Sequence, residues 1–458
     1  MERKIAWNEY SEEQLQQLEG FCGGYKDFLT KCKTERECVS ESIRMAEEKG
    51  FRDLADVIAA GESLQPGDKV YAQYMKKSLL LFHIGTDPLE KGMAILGAHI
   101  DSPRIDVKQN PLYEEGGMAY LDTHYYGGVK KYQWVTIPLA LHGVIAKKDG
   151  SLVQVCLGEK AEDPVLVITD LLPHLAQEQM EKNAKKVVEG EKLDVIVGSL
   201  PLADEEKDAV RGKVLEILKE KYDMEEEDFL SAELELVPAG PARDAGLDSS
   251  MILAYGQDDR VCAYTSLLAM LELDAPRQTA CCFLCDKEEI GSVGATGARS
   301  LFLENTVAEL LDRCGCGSPL SLRRCLANSR MLSSDVSPAF DPLYASAFEK
   351  KNAGYLGRGL CFNKFTGSGG KSGANDANAE YIAELRRILD EAGVCYHTCE
   401  LGRVDLGGGG TIAYVMALYG MQVIDSGVPL LSMHAPWELS SKADVFEAYR
   451  GYKAFLLG

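Results

Sequence analysis

Residues 280–285 read ACCFLC, an unbroken apolar stretch that runs straight into DKEEIGS, where Glu288 and Glu289 stand side by side. Such a run suits a strand buried in a core, and along a strand successive side chains point to opposite faces. Two adjacent glutamates at its end are therefore expected to hold different roles. Charged residues where a strand leaves the core are also ordinary, so this stretch alone does not separate a solvated turn from a site.

Further strands are expected at residues 78–84 and 93–98, and the second ends in GAHIDSPR, so ionisable groups again follow a buried run. In open α/β sheets ligands bind outside the C-terminal ends of the strands. The first fifty residues read as helices: Ser11 with Gln14 and Thr34 with Glu37 have capping-box spacing, and Gly50 is a stop signal. Residues 105–241 have a different texture, with alternating short strands (152–156, 193–197) beside charged stretches such as EEEDFLSAELE and no dense set of metal-type ligands. The earlier pattern then resumes with strands at 251–255, 279–285 and 423–424 and a final helix over 441–457. The expected organisation is a discontinuous main domain (1–104 and 242–458) interrupted by an inserted domain (105–241).

The whole chain narrows the function classes. Its 458 residues have 71 Asp plus Glu against 49 Lys plus Arg, a formal net charge of −22 that repels phosphate backbones and anionic lipid surfaces. Nucleic acid and membrane are not expected partners. The start MERKIAWNEYSEEQ has no apolar core of a leader and no window reaches the length of a spanning helix, so a cytoplasmic protein is expected. The fourteen cysteines, many in apolar contexts, read as reduced thiols, and Cys314 and Cys316 lack a second pair for a zinc knuckle. The loops GSGGKSGAND and DLGGGGT fit neither P-loop nor dinucleotide spacing. They read as places where backbone can approach a substrate closely.

Five places combine an apolar strand with ligand-type residues: His99 and Asp101, Asp258, Glu288 and Glu289, Asp335, and His434. Each is weak alone, but all five in one chain are hard to assign to chance. Two divalent ions sharing a bridging carboxylate need a small flanking set of His, Asp and Glu, and two histidines with three carboxylates supply it. Zinc suits such a set, and cobalt or manganese can also occupy it.

The series AHIDSP, QDDR, KEEIGS, SSD and SMHAPWE resembles the aspartyl aminopeptidase family of co-catalytic zinc metallopeptidases, in the same order over essentially the whole chain. That resemblance implies an α/β fold, a mixed-sheet zinc exopeptidase domain flanked by helices and interrupted by a smaller dimerisation domain. It implies two metal ions per subunit, with Asp258 bridging, His99 and Asp335 on one side, and Glu289 and His434 on the other. It further implies Glu288 as general base, with Asp101 orienting the His99 imidazole. His174, in DLLPHLAQEQ, resembles a histidine that reaches a neighbouring subunit's active site, and Lys371, Gly409, Gly410 and Thr411 match the region lining the substrate pocket. The implied protein is a peptide-hydrolysing aminopeptidase, a homo-oligomer built from dimers as a tetrahedral dodecamer, with N-terminal Asp or Glu as its substrate residue. Lys371 and Arg403 are the candidate cations for that carboxylate. A related di-zinc dipeptidase or deacylase, and a non-catalytic assembly protein that kept the fold, are the alternatives.

Overall fold

The computed structural model describes residues 3–205, 207–369 and 371–458. The chain forms two compact units, one made of Met1–Asp101, Ala242–Met433 and Glu438–Gly458, the other of Ser102–Pro241 with His434–Trp437.

The first unit is built on a nine-stranded mixed sheet in the order Arg52–Asp53, Lys69–Tyr74, Ser78–His83, Thr279–Cys285, Met93–His99, Arg330–Ser334, Gln422–Gly427, Leu360–Asn363, Tyr396–Thr398. Its four central strands, Thr279–Cys285 through Gln422–Gly427, are mutually parallel. All seven residues of Met93–His99 and all seven of Thr279–Cys285 are buried. That is why these strands read as continuous apolar runs rather than alternating ones: helices cover both faces. One face packs Leu96, Ala98, Cys282 and Leu284 against apolar residues of helices Glu12–Lys31, Gln257–Leu271 and Lys442–Leu457. The other packs Ile95, Cys281, Phe283 and Met331 against those of Phe302–Arg313 and Pro319–Ala327. Both capping boxes form, Gln14 N–H donating to Ser11 Oγ at 3.2 Å and Glu37 N–H to Thr34 Oγ1 at 3.2 Å. A second, five-stranded sheet runs Arg243–Ala245, Met251–Ala254, Glu438–Ser441, Pro429–Leu431, Ser337–Pro338.

The second unit is a six-stranded antiparallel sheet, in the order Leu152–Leu157, Leu139–Ala146, Ala232–Pro238, Arg104–Glu115, Met118–Tyr126, Val195–Gly198. The strand expected at 193–197 begins later, because Gly190–Lys192 is a 3₁₀ turn that hands the chain over at Leu193. All fourteen cysteines are free thiols; eleven are buried, Cys314 and Cys316 are half-buried, and Cys156 is exposed. Among the described residues no helix is long and apolar enough to cross a membrane.

Candidate active site

The parallel centre of the sheet brings three chain segments to one edge. His99 is the last residue of its strand and lies beside Cys285, the last of the neighbouring one. Asp335 directly follows Arg330–Ser334, and its N–H donates to Ser426 O at 3.1 Å, which carries the ladder one residue further. Glu288 and Glu289 do not sit on the strand end as the pleat argument has them. The strand stops at Cys285, Lys287 takes a left-handed φ of +68°, and both glutamates lie in a single 3₁₀ turn, Glu288–Ile290. Their placement comes from that turn and not from strand alternation, and it brings ligand atoms of both glutamates within 4.8 Å of one another and of His99.

Asp101 holds this turn in place. Its Oδ1 accepts the Glu288 N–H at 3.1 Å and its Oδ2 the Glu289 N–H at 3.2 Å, while the side chain is fully buried. His99 Nδ1 lies 2.9 Å from the Asp101 carbonyl and 3.3 Å from Asp101 Oδ1. One carboxylate thus links the imidazole to the backbone of both glutamates. The sequence places Asp101 beside His99; its grip on Glu288 and Glu289, 187 and 188 residues away, has no local signal.

Asp258 arrives from the other sheet. After Met251–Ala254 the chain turns at Gly256, with φ +67°, into the helix Gln257–Leu271, whose Asp258 and Asp259 keep non-helical backbone angles. Asp258 N–H donates to Glu438 Oε2 at 3.0 Å, and the Gln257 amide donates to Glu438 O at 2.7 Å and to Ile252 O at 3.1 Å. Gln257 and Glu438 are both buried. They are residues that pattern reading passes over, because a polar side chain inside a core is recognised only by its partners.

His99 Nε2 lies 3.2 Å from Asp258 Oδ1 and 3.8 Å from Asp335 Oδ1, yet makes no hydrogen bond although it is buried. A carbonyl only accepts, so the bond to Asp101 O puts a proton on Nδ1 and leaves Nε2 facing two carboxylates. Such an arrangement calls for a cation between the groups. Ligand atoms of His99, Asp258 and Asp335 lie within 4.8 Å of one another, as do those of His99, Glu288 and Glu289. The same carboxylates favour positive charge at this point. Burial opposes charge on His99, but the carboxylates of Asp101, Asp258 and Asp335 outweigh it and hold the imidazole pKa well above its ordinary value. Burial also drives the Asp335 carboxyl well above the usual carboxylate range, with Glu288, Asp259 and Asp258 adding to the rise. Acids crowded around a buried histidine nitrogen are a donor set for divalent ions, and the residues fit zinc.

The remaining expected residues lie elsewhere. His434 belongs to His434–Trp437, which clusters with the second unit; its Nδ1 lies 3.1 Å from Gly128 O, so this nitrogen donates. His174 is an exposed residue of the short turn Pro173–Leu175 in the second unit. Lys371 is exposed, with its N–H donating to Ser368 O at 3.1 Å. Arg403 Nη1 donates to Ser346 O at 3.2 Å. Gly409 and Gly410 are in a glycine loop that ends at the buried Thr411.

A buried His and carboxylate cluster at the C-terminal edge of a parallel sheet is a donor set of the kind metallohydrolases use, and comparison with known proteins gives the family. Residues 28–456 match the model of the aminopeptidase I zinc metalloproteases, M18. A protein of Clostridium acetobutylicum described as a probable M18 family aminopeptidase 1 is 60% identical over 456 residues, covering 99% of this chain and 98% of that one. The crystal structure of aminopeptidase I from the same organism superposes with a TM-score of 0.94 at 59% identity, covering 100% of both chains. That of an M18 aminopeptidase from Thermotoga maritima gives 0.95 at 44%, covering 100% and 99%. The chain belongs to the M18 family of zinc aminopeptidases. The mixed α/β fold and the enzyme class expected from the sequence are those of this family.

Proposed function

We propose that the chain holds two divalent ions, with Asp258 between them, His99 and Asp335 completing one ligand set and Glu289 and His434 the other, and that it removes an N-terminal residue, Asp or Glu, from peptides. The observation that carries this reading is the setting of His99, whose Nδ1 is held by Asp101 O while Nε2 faces Asp258 and Asp335. Zinc at such a site supplies Lewis acidity to a scissile carbonyl and lowers the pKa of a nearby water.

The protein's own groups do the rest. Glu288 takes the proton from the attacking water as the new C–O bond forms, and returns it to the amine nitrogen as the C–N bond breaks. Asp101 keeps Glu288 and His99 in place by the three contacts described above. Lys371 faces the carboxylate of an acidic N-terminal residue and offsets the repulsion of a chain at −22. His174 acts in the site of a second copy, in a dimer-based homo-oligomer. A solved yeast relative at 21% identity is a dodecamer, and the same assembly is our reading for this chain.

The test is Glu288→Gln, which retains both metals by elemental analysis and loses about 10² to 10⁴ in kcat, the range of general-base catalysis. A variant that stays active, or one that loses metal, makes Glu288 a ligand or a bystander. Lys371→Met costs acidic substrates about 1 to 3 kcal/mol in kcat/KM and spares leucyl ones. A wild-type preference for leucyl substrates would reject the acidic pocket. His174→Phe lowers kcat with the oligomer intact by light scattering.

A further inference from the structure

Asp425 is a buried carboxylate that the proposed chemistry does not use. It lies in Gln422–Gly427, opposite Ser333, which in turn lies opposite Gly97. Along the same strands, His99 and Asp335 come two residues later, about 7 Å at the rise of a strand. Asp425 therefore sits one pleat repeat behind the metal-type ligands.

Its partners belong to the two glycine-rich loops. Oδ1 accepts from Thr411 Oγ1, at the end of DLGGGGT. Oδ2 accepts from Thr366 Oγ1 at 3.3 Å and from Asn375 Nδ2 at 3.5 Å, at the two ends of TGSGGKSGAN. Thr366 and Asn375 close their loop on each other, through Thr366 N–H to Asn375 O and Asn375 N–H to Thr366 Oγ1, both 3.1 Å. The loops also touch directly: Gly367 N–H donates to Gly409 O at 2.8 Å. A Cβ at Gly408 would come within 2.5 Å of Gly367 O, and one at Gly373 within 3.2 Å of the Gly410 Cα. The glycines are thus required by the backbone-to-backbone packing of two loops that contain little apolar surface to hold them. Burial pushes the Asp425 carboxyl up to about 6, against the pull of Thr411, Asn375, Thr366 and Ser333. A buried charge costs free energy that an apolar residue at this sheet position would avoid, so what it gains must come from the groups it gathers.

We infer that Asp425 is a positioning residue for substrate binding, pinning both glycine loops in the one arrangement in which they can receive a peptide end. The inference rests on the reading that Lys371, Gly409, Gly410 and Thr411 line the substrate pocket.

The experiment uses the metal-loaded full chain carrying Asp425→Asn. The amide keeps the shape of the side chain but turns a donor toward Asn375 Nδ2. The expected result is faster backbone hydrogen exchange at residues 366–376 and 405–411, an unchanged metal content, and a KM for aminoacyl chromogenic substrates raised about tenfold or more, with kcat within about threefold of wild type. Faster exchange with an unchanged KM overturns the inference, as does a fall in metal content accompanying the loss of activity, or no change in exchange. If Lys371→Met alters KM and Asp425→Asn does not, the inference alone fails; if neither does, the pocket assignment fails with it. Should Asp425→Asn not fold, Thr366→Val removes the hydroxyl that donates to Asp425 and accepts from the Asn375 N–H, and must raise exchange at 366–376 together with KM.

Discussion

The two large sheets of this protein solve the same problem in opposite ways. In the first unit the central strands are parallel and buried on both faces, so every residue of Met93–His99 and Thr279–Cys285 is enclosed. In the second unit the strands are antiparallel; in Met118–Tyr126 and Leu152–Leu157 buried or half-buried positions lie between more exposed ones, while the inner strands Leu139–Ala146 and Ala232–Pro238 are buried along most of their length. A parallel strand cannot return by a hairpin; each needs a crossover, and the crossovers leave all the C-terminal ends at one edge. Antiparallel neighbours alternate their ends and gather nothing. This accounts for the ligand-type residues His99, Glu288, Glu289 and Asp335 all following parallel strands of the first unit, whereas the second unit has long strands and no comparable cluster among the described residues.

The largest effect that would test this contrast is metal removal. Stripping the enzyme with a chelator is expected to abolish hydrolysis and to speed hydrogen exchange at residues 97–101 and 286–291, while strands Leu139–Ala146 and Ala232–Pro238 keep their protection. Equal loss of protection in both sheets would mean that the metal supports the whole molecule rather than one edge.

Packing gives the next largest difference. Phe283, 1% exposed, fills the core on one face of the central sheet, and Phe283→Ala should cost about 3 to 5 kcal/mol in denaturant unfolding. Leu152 on the edge strand of the second unit is 42% exposed, and Leu152→Ala should stay within about 0.5 kcal/mol. Similar costs at the two positions would break the comparison.

Acid sharpens it further. His83 and His397, both in the first unit, are held down to about 4 by burial, with Lys69 adding to the effect at His83 and Arg3 at His397. The unfolded value is about 6.5, so between these limits the unfolded chain binds more protons than the folded one. Their contribution is whole above about pH 6.5 and falls as pH drops toward 4, by roughly 3 kcal/mol for each histidine at most. Unfolding midpoints measured from pH 7 to 4.5 should fall, and His83→Gln should fall less steeply than wild type. An equal slope in the variant would show that His83 does not titrate in this range.

How much of this was legible in the chain depends on how local the cause is. The two capping boxes, the strand Thr279–Cys285 and the final helix, which runs Lys442–Leu457 after Ser441, were readable because capping and burial act over a few residues. The turn that separates Glu288 from Glu289 was not. DKEEIGS looks like a strand leaving the core, whereas the left-handed Lys287 and the two hydrogen bonds that Asp101 accepts fold it into a turn. Glu438 and Asp425 gave no sign either, since their polar partners lie far along the chain.

The sequence by itself determined which residues could bind metal and that each follows its own apolar run, because ligand chemistry and strand burial are properties of side chains in their immediate surroundings. The tertiary structure decided which of them meet. The parallel register that sets His99 beside Cys285, the shared carboxylate of Asp101 and the setting of His99 all depend on strands brought together from distant parts of the chain, and hydrogen bonds of that range leave no periodic trace in a sequence.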